Sequence, residues 1–438
     1  VTRSSDGQML FLANMASKMN HSSPLGSRIA QVHNGSSLFT GDAGSGESNI
    51  RRWLFENDWV EAIVALPLNL FYNTGIATYV WLLSNRKAPE RQGKVQLIDA
   101  SGWFEPLRKN LGKKNCELSP ANTERVMAAY DAMEESEHAK VFANEAFGYW
   151  KVSVERPLRL HSRITAAAIE ALRTASGDRE IREELWGDYG DALLTRFASL
   201  KPELEQRLRE WNSGDDLDSE DSDEEGESDG QRSGKGGIPE KRRKKLLDPA
   251  TWQRDAQLAA AAEALRQLLG EGLYDDHNEF RSEVQSALKL QGLKLGAADL
   301  KVLLRQVSWR EESAPPVIAK VHKGAKVAAD PLHGLFDLEL NGKPCVVEYE
   351  PDTDLRDSEQ IPLLEEGGIE AFIRREVLPY TPDAWINPEA TKVGYEVSFT
   401  RHFYKPKPLR SLAEIAADIR AIEAEAEGLL DGLLVGAG

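Results

Sequence analysis

Glu61–Leu66 (EAIVAL), Ala77–Leu83 (ATYVWLL) and Lys94–Asp99 (KVQLID) are three short apolar runs, the first closed by Pro67. They are too short for helices and too apolar for a half-solvated surface, so they read as buried strands. Ahead of them, Gly7–Met19 places Met9, Leu10, Phe11, Ala13, Met15, Ala16 and Met19 mostly on one side of a helix. Ser27–His33 (SRIAQVH) follows as a short strand and Gly41–Gly46 as a Gly-rich turn. Ser48–Asn57 is a helix with Ser48 as its N-cap. Strand, helix, strand and strand again predicts an α/β domain, the back half of a mostly parallel sheet. Such a sheet normally opens on a Gly-rich strand-to-helix turn, and no strand precedes residue 7.

Charge and composition narrow the function classes. The chain has 438 residues, 41% of them hydrophobic, and 71 acids against 54 bases give a net charge of -17. That length suggests two to four domains. The acidity argues against coating nucleic acid by bulk charge, although a local basic surface remains compatible with it. Cys116 and Cys345 lie far apart with no C-x-x-C spacing, which disfavours a disulfide framework, a zinc ribbon or an iron–sulfur cluster. No apolar run approaches the roughly 18 residues that would span a bilayer, and the first residues lack a secretory pattern. The expectation is a soluble, cytoplasmic chain with no membrane partner.

Gly214–Gly230 (GDDLDSEDSDEEGESDG) carries ten acids and one large apolar residue, and the basic block Lys241–Lys245 follows it. Such a stretch buries too little apolar surface to offset its ordering entropy, so 213–247 is expected to be a disordered linker. The basic block could touch phosphate or simply be solvated. Ser119–Glu210 reads as largely helical, with a turn around Phe147-Gly148-Tyr149. Beyond the linker, Trp252–Leu269 and Glu279–Leu290 read as helices. Gly334–Glu350 reads as a hairpin around Asn341-Gly342, Gly394–Tyr404 as a strand and Leu412–Leu433 as a terminal helix. The expected domains are 1–105, the catalytic-type sheet; 106–212, mainly helical; 213–247, the linker; 248–410, α+β; and 411–438, the terminal helix. In that last helix Leu412, Ile415, Ile419, Ile422, Ala426, Leu429 and Leu433 alternate at spacings of three and four, which reads as a narrow seam for a second helix, the other reading being a stripe packed on its own domain.

Three segments carry candidate chemistry. Phe71-Tyr72-Asn73-Thr74-Gly75 sits between two strands, where α/β proteins place ligands. Aromatic rings beside amide and hydroxyl groups suit stacking on a flat base; the same residues also suit a simple turn with Phe71 packed under the sheet. Gly41–Ser48 resembles a phosphate cradle in outline but lacks the Lys-Ser/Thr ending of a P-loop, so a capping turn is the other role. Glu348–Asp357 (EYEPDTDLRD) is dense in carboxylates, as in metal-dependent nucleases, but no catalytic lysine follows and Arg356 could neutralise the acids. The eight histidines show no ligand spacing, so no metal is assigned.

Taken together, the chain resembles the methylation subunit of type I restriction-modification systems, an adenine-N6 DNA methyltransferase family. The resemblance rests on SSDGQMLFLANMASKM, on HNGSSLFTGDAGSGESNIRRWLFENDWVEAIVALPLNLFYNTGIATYVWLLSNRK, and on GKVQLIDASGWF and FGYWKVSVERPLRL. VVEYEPDTDLRDSEQIPLLEEGGIEAFIRREVLPYTPDAWI and VGYEVSFTRHFYKP extend it through the second half. It implies a Rossmann-like methyltransferase sheet followed by helical and α+β regions. It implies methyl transfer from S-adenosylmethionine to a flipped adenine in DNA. It also implies assembly with a specificity subunit, a restriction subunit and a second methylation subunit.

The family carries a cofactor-binding Gly-rich turn and an Asn-Pro-Pro-Phe/Tyr catalytic motif ahead of the region matching Asp6-Gly7-Gln8. No Asn-Pro-Pro occurs in this sequence; the only Asn-Pro is Asn387-Pro388. The resemblance therefore implies the C-terminal portion of such a subunit, inactive by itself or serving as a non-catalytic assembly or DNA-binding module, with no catalytic residue in this chain. Carried over position by position, Phe71 and Tyr72 match the aromatic site against the flipped adenine, and Asn73 and Thr74 the loop beside it. Asp6, Gly7 and Gln8 match the helix start bordering the cofactor pocket.

Overall fold

A computed structural model describes residues 2, 6–210, 238, 240–322, 327–404 and 411–435. The chain forms two compact units: 1–152 with 359–374 and 390–438, and 153–358 with 375–389.

The first unit is built on a five-stranded sheet. Its elements are α1 (Gln8–Ala16), β1 (Arg28–Asn34), α2 (Ser36–Phe39), α3 (Gly46–Glu56), β2 (Val60–Ala65), β3 (Thr78–Ser84), β4 (Lys94–Asp99), the hairpin β5 (Glu105–Leu111) and β6 (Lys114–Glu117), α4 (Pro120–Ala132) and β7 (Ala139–Ala143). The strand order is β1-β3-β2-β4-β7. The α/β class holds, but the sheet is not mostly parallel: only β2 and β4 pair in parallel, and the other three pairings are antiparallel. The cause lies in the connections. Segment 66–77 between β2 and β3 contains no helix, so the chain returns antiparallel. The α2–α3 segment carries the chain from β1 to β2 pointing the same way, and β3 inserts between them.

Every residue of β2 is buried, which explains its unbroken apolar sequence: both faces are covered. Met9, Leu12, Leu54, Phe55, Ile63, Trp81 and Leu97 form one core layer. Val64, Ile98, Leu66 and Trp103 form another, with Val126 and Tyr130 of α4 packed against it. In α1 the buried stripe is Met9, Leu12 and Ala16, while Leu10 and Phe11 are exposed, so the stripe is narrower and turned relative to the expectation. α3 starts two residues before Ser48, after Ser45; Ser48 instead lies inside the helix and its Oγ accepts the Tyr395 N–H at 3.1 Å. The buried Arg51 guanidinium donates to the carbonyls of Tyr395 (2.6 Å), Ser37 (3.1 Å) and Thr40 (2.8 Å) and so ties the backbone at Tyr395 to α2. Burial pulls its pKa down to about 10.

Further corrections concern the middle and the end of the chain. Within 119–210, residues 139–162 hold strands and no α-helix: Gly148–Glu155 is a strand through the expected turn, preceded by a single 3-10 turn at Asn144–Phe147, with Val152 and Val154 buried. Trp385–Tyr395 is the strand and Phe399–Phe403 a short helix, where one strand over 394–404 was expected. The hairpin around Asn341-Gly342 forms as read, Phe336–Leu340 against Lys343–Tyr349, with φ of 52° and 73° at the turn. The acidic run 214–230 lies outside the described residues. The end of the expected linker is a helix, Glu240–Leu246, whose Leu246 is buried with Trp252.

The second unit has two helical cores. Leu172, Leu258, Ala262, Phe280, Val284 and Leu303 centre one; Ile181, Leu185, Leu204 and Leu208 centre the other. Arg182 and Asp255 form an ion pair at 2.9 Å with both side chains buried, and Arg182 also lies 3.7 Å over the Trp252 ring. In the first unit the terminal helix Leu412–Val435 leaves Leu412, Ile415, Ile419 and Ile422 exposed. Among the described residues, no helix is long and apolar enough to cross a membrane.

Candidate functional site

β1, β2 and β4 all run antiparallel to β3 or parallel to one another, so their carboxyl ends share one rim of the sheet. The register aligns that rim: Asn34 lies opposite Thr78, and Ala65 opposite both Tyr79 and Asp99. Ligands of open α/β sheets gather at such a rim. Two groups of the expected site residues stand on it, at the ends of β1 and β2, which are two strand spacings or roughly 10 Å apart.

The first group follows β2. Segment 66–77 leaves Tyr72 68% and Phe71 38% exposed, so Phe71 is not tucked under the sheet. The loop is held from below by the β5–β6 hairpin. Lys114 Nζ donates to the Leu70 carbonyl at 2.8 Å, the Asn115 N–H to Asn69 at 3.2 Å and the Cys116 thiol to Leu68 at 3.2 Å. Asn73 takes a φ of 55° and Gly112 one of 60°. A Cβ on Gly112 would overlap Asn73 Oδ1 and lie 3.3 Å from the Tyr72 ring, so this glycine permits the close seat of loop on hairpin. Thr74 Oγ1 accepts the Ile76 N–H at 3.4 Å and closes the turn. The arrangement fixes the backbone and leaves two rings outside it.

The hairpin adds residues that the sequence reading passed over. Arg108, Lys109 and Lys113 are exposed beside the loop, and Lys114 is half-buried beneath it. The signal was present in RKNLGKKN, a local basic run within a chain of net charge -17.

The second group surrounds the start of α1. Asp6, one residue ahead of the N-cap Gly7, accepts the N–H of Gln8, the first helical residue, on Oδ1 at 3.1 Å. Gln8 Nε2 donates to Asp6 (2.7 Å), Asn34 (2.8 Å) and Ser36 (2.6 Å), while its Oε1 accepts from the Asn34 N–H at 3.3 Å. The Gln8 N–H holds the Asp6 carboxyl below its ordinary pKa, assisted by Gln8 and Ser36 side chains. His33 lies against Gln8 Oε1 at 3.2 Å, is pulled down to about 4 by burial, and has no partner on Nε2. Gly7 has a φ of -92° and room for a Cβ, which would meet Phe11 at 3.6 Å; its backbone does not require glycine. Gln8 is thus committed to bonds within the protein, and these residues form a wall rather than a cradle of free backbone N–H groups. They do not by themselves fit a whole S-adenosylmethionine.

The other two segments are structural. In Gly41–Ser48, Asp42 accepts its own neighbour's N–H and pairs with Lys151 at 2.5 Å, while Arg51 binds the carbonyl of Thr40 just before it. Four of the five acids of 348–357 stand in ion pairs: Glu348 with His322 (2.6 Å) and Lys320 (3.1 Å), Glu350 with Lys301 (3.0 Å), and Asp352 (two bonds of 2.8 Å) and Asp354 (2.5 Å) with the same Arg310. Arg356 binds Glu155 at 2.9 Å. No group of three or more potential metal ligands forms among the described residues.

Residues 3–147 match the model of the N-6 DNA Methylase family. The chain is also similar, over part of its length, to type I restriction enzyme methylase subunits. One is MjaVII of Methanocaldococcus jannaschii, 33% identical over 112 residues, which are 25% of this chain and 18% of that one. Another is MpnII of Mycoplasma pneumoniae, 36% identical over 89 residues, or 20% and 15% of the two chains. A solved type I methyltransferase subunit from Streptococcus thermophilus is 26% identical with a TM-score of 0.28, covering 33% of this chain and 28% of that one. The chain spans less than a fifth of the length of these curated relatives. Over the matched parts of the chain, the resemblance to the methylation subunit stands on the family match and these relatives.

Proposed function

We propose that this chain is part of a type I restriction-modification DNA methyltransferase that methylates adenine N6, and that its first unit holds the target base and the strand beside it. The observation that carries this reading is the loop 71–75: two exposed aromatic rings on a backbone locked by the β5–β6 hairpin, at the carboxyl rim of the sheet. A base extruded from the duplex needs a flat apolar face in place of its lost neighbours, and Phe71 or Tyr72 supplies it. Asn73 and Thr74 shape the turn that presents the rings. Arg108, Lys109 and Lys113 meet the phosphates next to the extruded nucleotide.

S-adenosylmethionine is the methyl source in this reading. Asp6, Gly7 and Gln8 border its pocket as one wall and do not complete its site. The partners of the reading are DNA, a specificity subunit, a restriction subunit and a second methylation subunit, in the cytoplasm.

Salt dependence of DNA binding tests the role of the hairpin against the strand. Replacing Lys109 and Lys113 with alanine should flatten the slope of log K against log salt by roughly 0.9 for each phosphate that is no longer neutralised. An unchanged slope would mean that this hairpin does not face DNA.

A further inference from the structure

The second unit contains a cavity of about 500 Å³, lined by elements of that unit alone. Leu300, Lys301, Leu304 and Arg305 come from one face of the helix Ala297–Gln306, and His277 and Arg281 from the helix His277–Leu290. Glu350, Pro351 and Asp352, from the carboxylate-rich run, close another side, with Leu158, Leu160 and Trp309. The size falls in the range of small-molecule sites.

Its charges are unevenly committed. Lys301 is paired with Glu350, and Arg310 with both Asp352 and Asp354, so these pairs stiffen the wall and leave neither of the two cations free. Among the described residues, Arg281 donates to the Ile318 carbonyl at 2.8 Å and has no ion pair, and Arg305 has none either. Two guanidinium groups therefore remain for an anion, and their forks suit phosphate. The same cavity is lined by Leu158, Leu160, Leu300 and Leu304, and its Trp309 is 44% exposed. His277 is 5% exposed with Nδ1 held by the hydroxyls of Ser162 (2.8 Å) and Ser308 (3.3 Å), which leaves Nε2 as an uncharged polar contact for a ligand.

We propose that this cavity binds a nucleotide, its base against Trp309 and the leucine lining and its phosphate on Arg281 and Arg305. The nucleotide is either free or an unpaired unit of a DNA strand. The carboxylate run then serves the site by fixing Arg310 and Lys301 in place, while the two uncommitted arginines set the preference for anions.

Calorimetry on the full chain with dAMP, and separately with a short oligothymidylate, tests this. Trp309→Ala and Arg305→Glu alter exposed side chains, and circular dichroism verifies that both variants stay folded. Each should weaken nucleotide binding by about tenfold or more, whereas Leu25→Ala, at an exposed position of the other unit that takes no part in either site, should not. Loss with dAMP assigns a free nucleotide; loss seen only with the oligonucleotide assigns a strand. Absence of binding to both ligands, or binding that survives both substitutions, overturns the proposal. Binding that falls only in a further variant, Tyr72→Ala, also overturns it and supports the base-holding loop instead.

Discussion

His33 and His277 are buried imidazoles whose pKa burial lowers from 6.5 to about 4. Between those values the unfolded chain binds a proton that the folded chain refuses. Stability therefore falls as pH is lowered from 6.5 towards 4 and levels off below, by roughly 3 kcal/mol per histidine at most. Proton NMR should place both midpoints near 4; a midpoint near 6.5 for either would contradict its burial. Asp255 makes a stronger residue-scale case. Its carboxyl neutralises Arg182 and accepts the Ser176 N–H at 3.0 Å, with no water-facing alternative for either charge. Asp255→Ala should destabilise the chain by about 3–5 kcal/mol in urea unfolding, because Arg182 would be left buried and unpaired. A loss below about 1 kcal/mol would show that Arg182 finds other partners. None of these roles was legible in the sequence. A histidine in SRIAQVH and an aspartate in a helix look like solvated residues until their neighbours close over them.

At the scale of elements, legibility followed how much of the outcome was local. β2, β3 and β4 were readable because burial on both faces leaves continuous apolar runs, and Asn341-Gly342 because only a few residue types accept its backbone angles. Strand direction was not readable, since it is set by what the connections contain. The strand Gly148–Glu155 was missed because Tyr149, Trp150 and Lys151 interrupt its apolar pattern. The aromatic loop was found as a motif, but its support was not: Lys114 and Cys116 act on carbonyl oxygens, which leave no mark in sequence. Of the expected stripe in the terminal helix, Leu412, Ile415, Ile419 and Ile422 are exposed, while the side chains of Leu429 and Leu433 lie outside the described residues. Ile419→Asp should leave circular dichroism and unfolding unchanged and abolish co-elution with the specificity subunit in size-exclusion chromatography. Persistent co-elution, or loss of fold, would show that the seam serves another purpose.

On the scale of the whole molecule, the sequence suggested consecutive domains, whereas each compact unit gathers separated stretches of chain. Residues 390–403 return to the first unit, where Tyr395, Val397 and Phe399 join the core built by α1, α3 and the sheet. That return was hidden because Arg51, which fixes it, sits 344 positions from its carbonyl partner. The resemblance covered both stretches without showing that they meet. What the first unit presents as a whole is a rim carrying two exposed rings beside a basic hairpin, and the account stands or falls on those rings. The most direct test is the rate of DNA methylation by the assembled enzyme carrying Tyr72→Ala or Phe71→Ala. The account predicts a loss of about ten- to a hundredfold for the residue that stacks on the base. Methylation at the wild-type rate by both variants would contradict it.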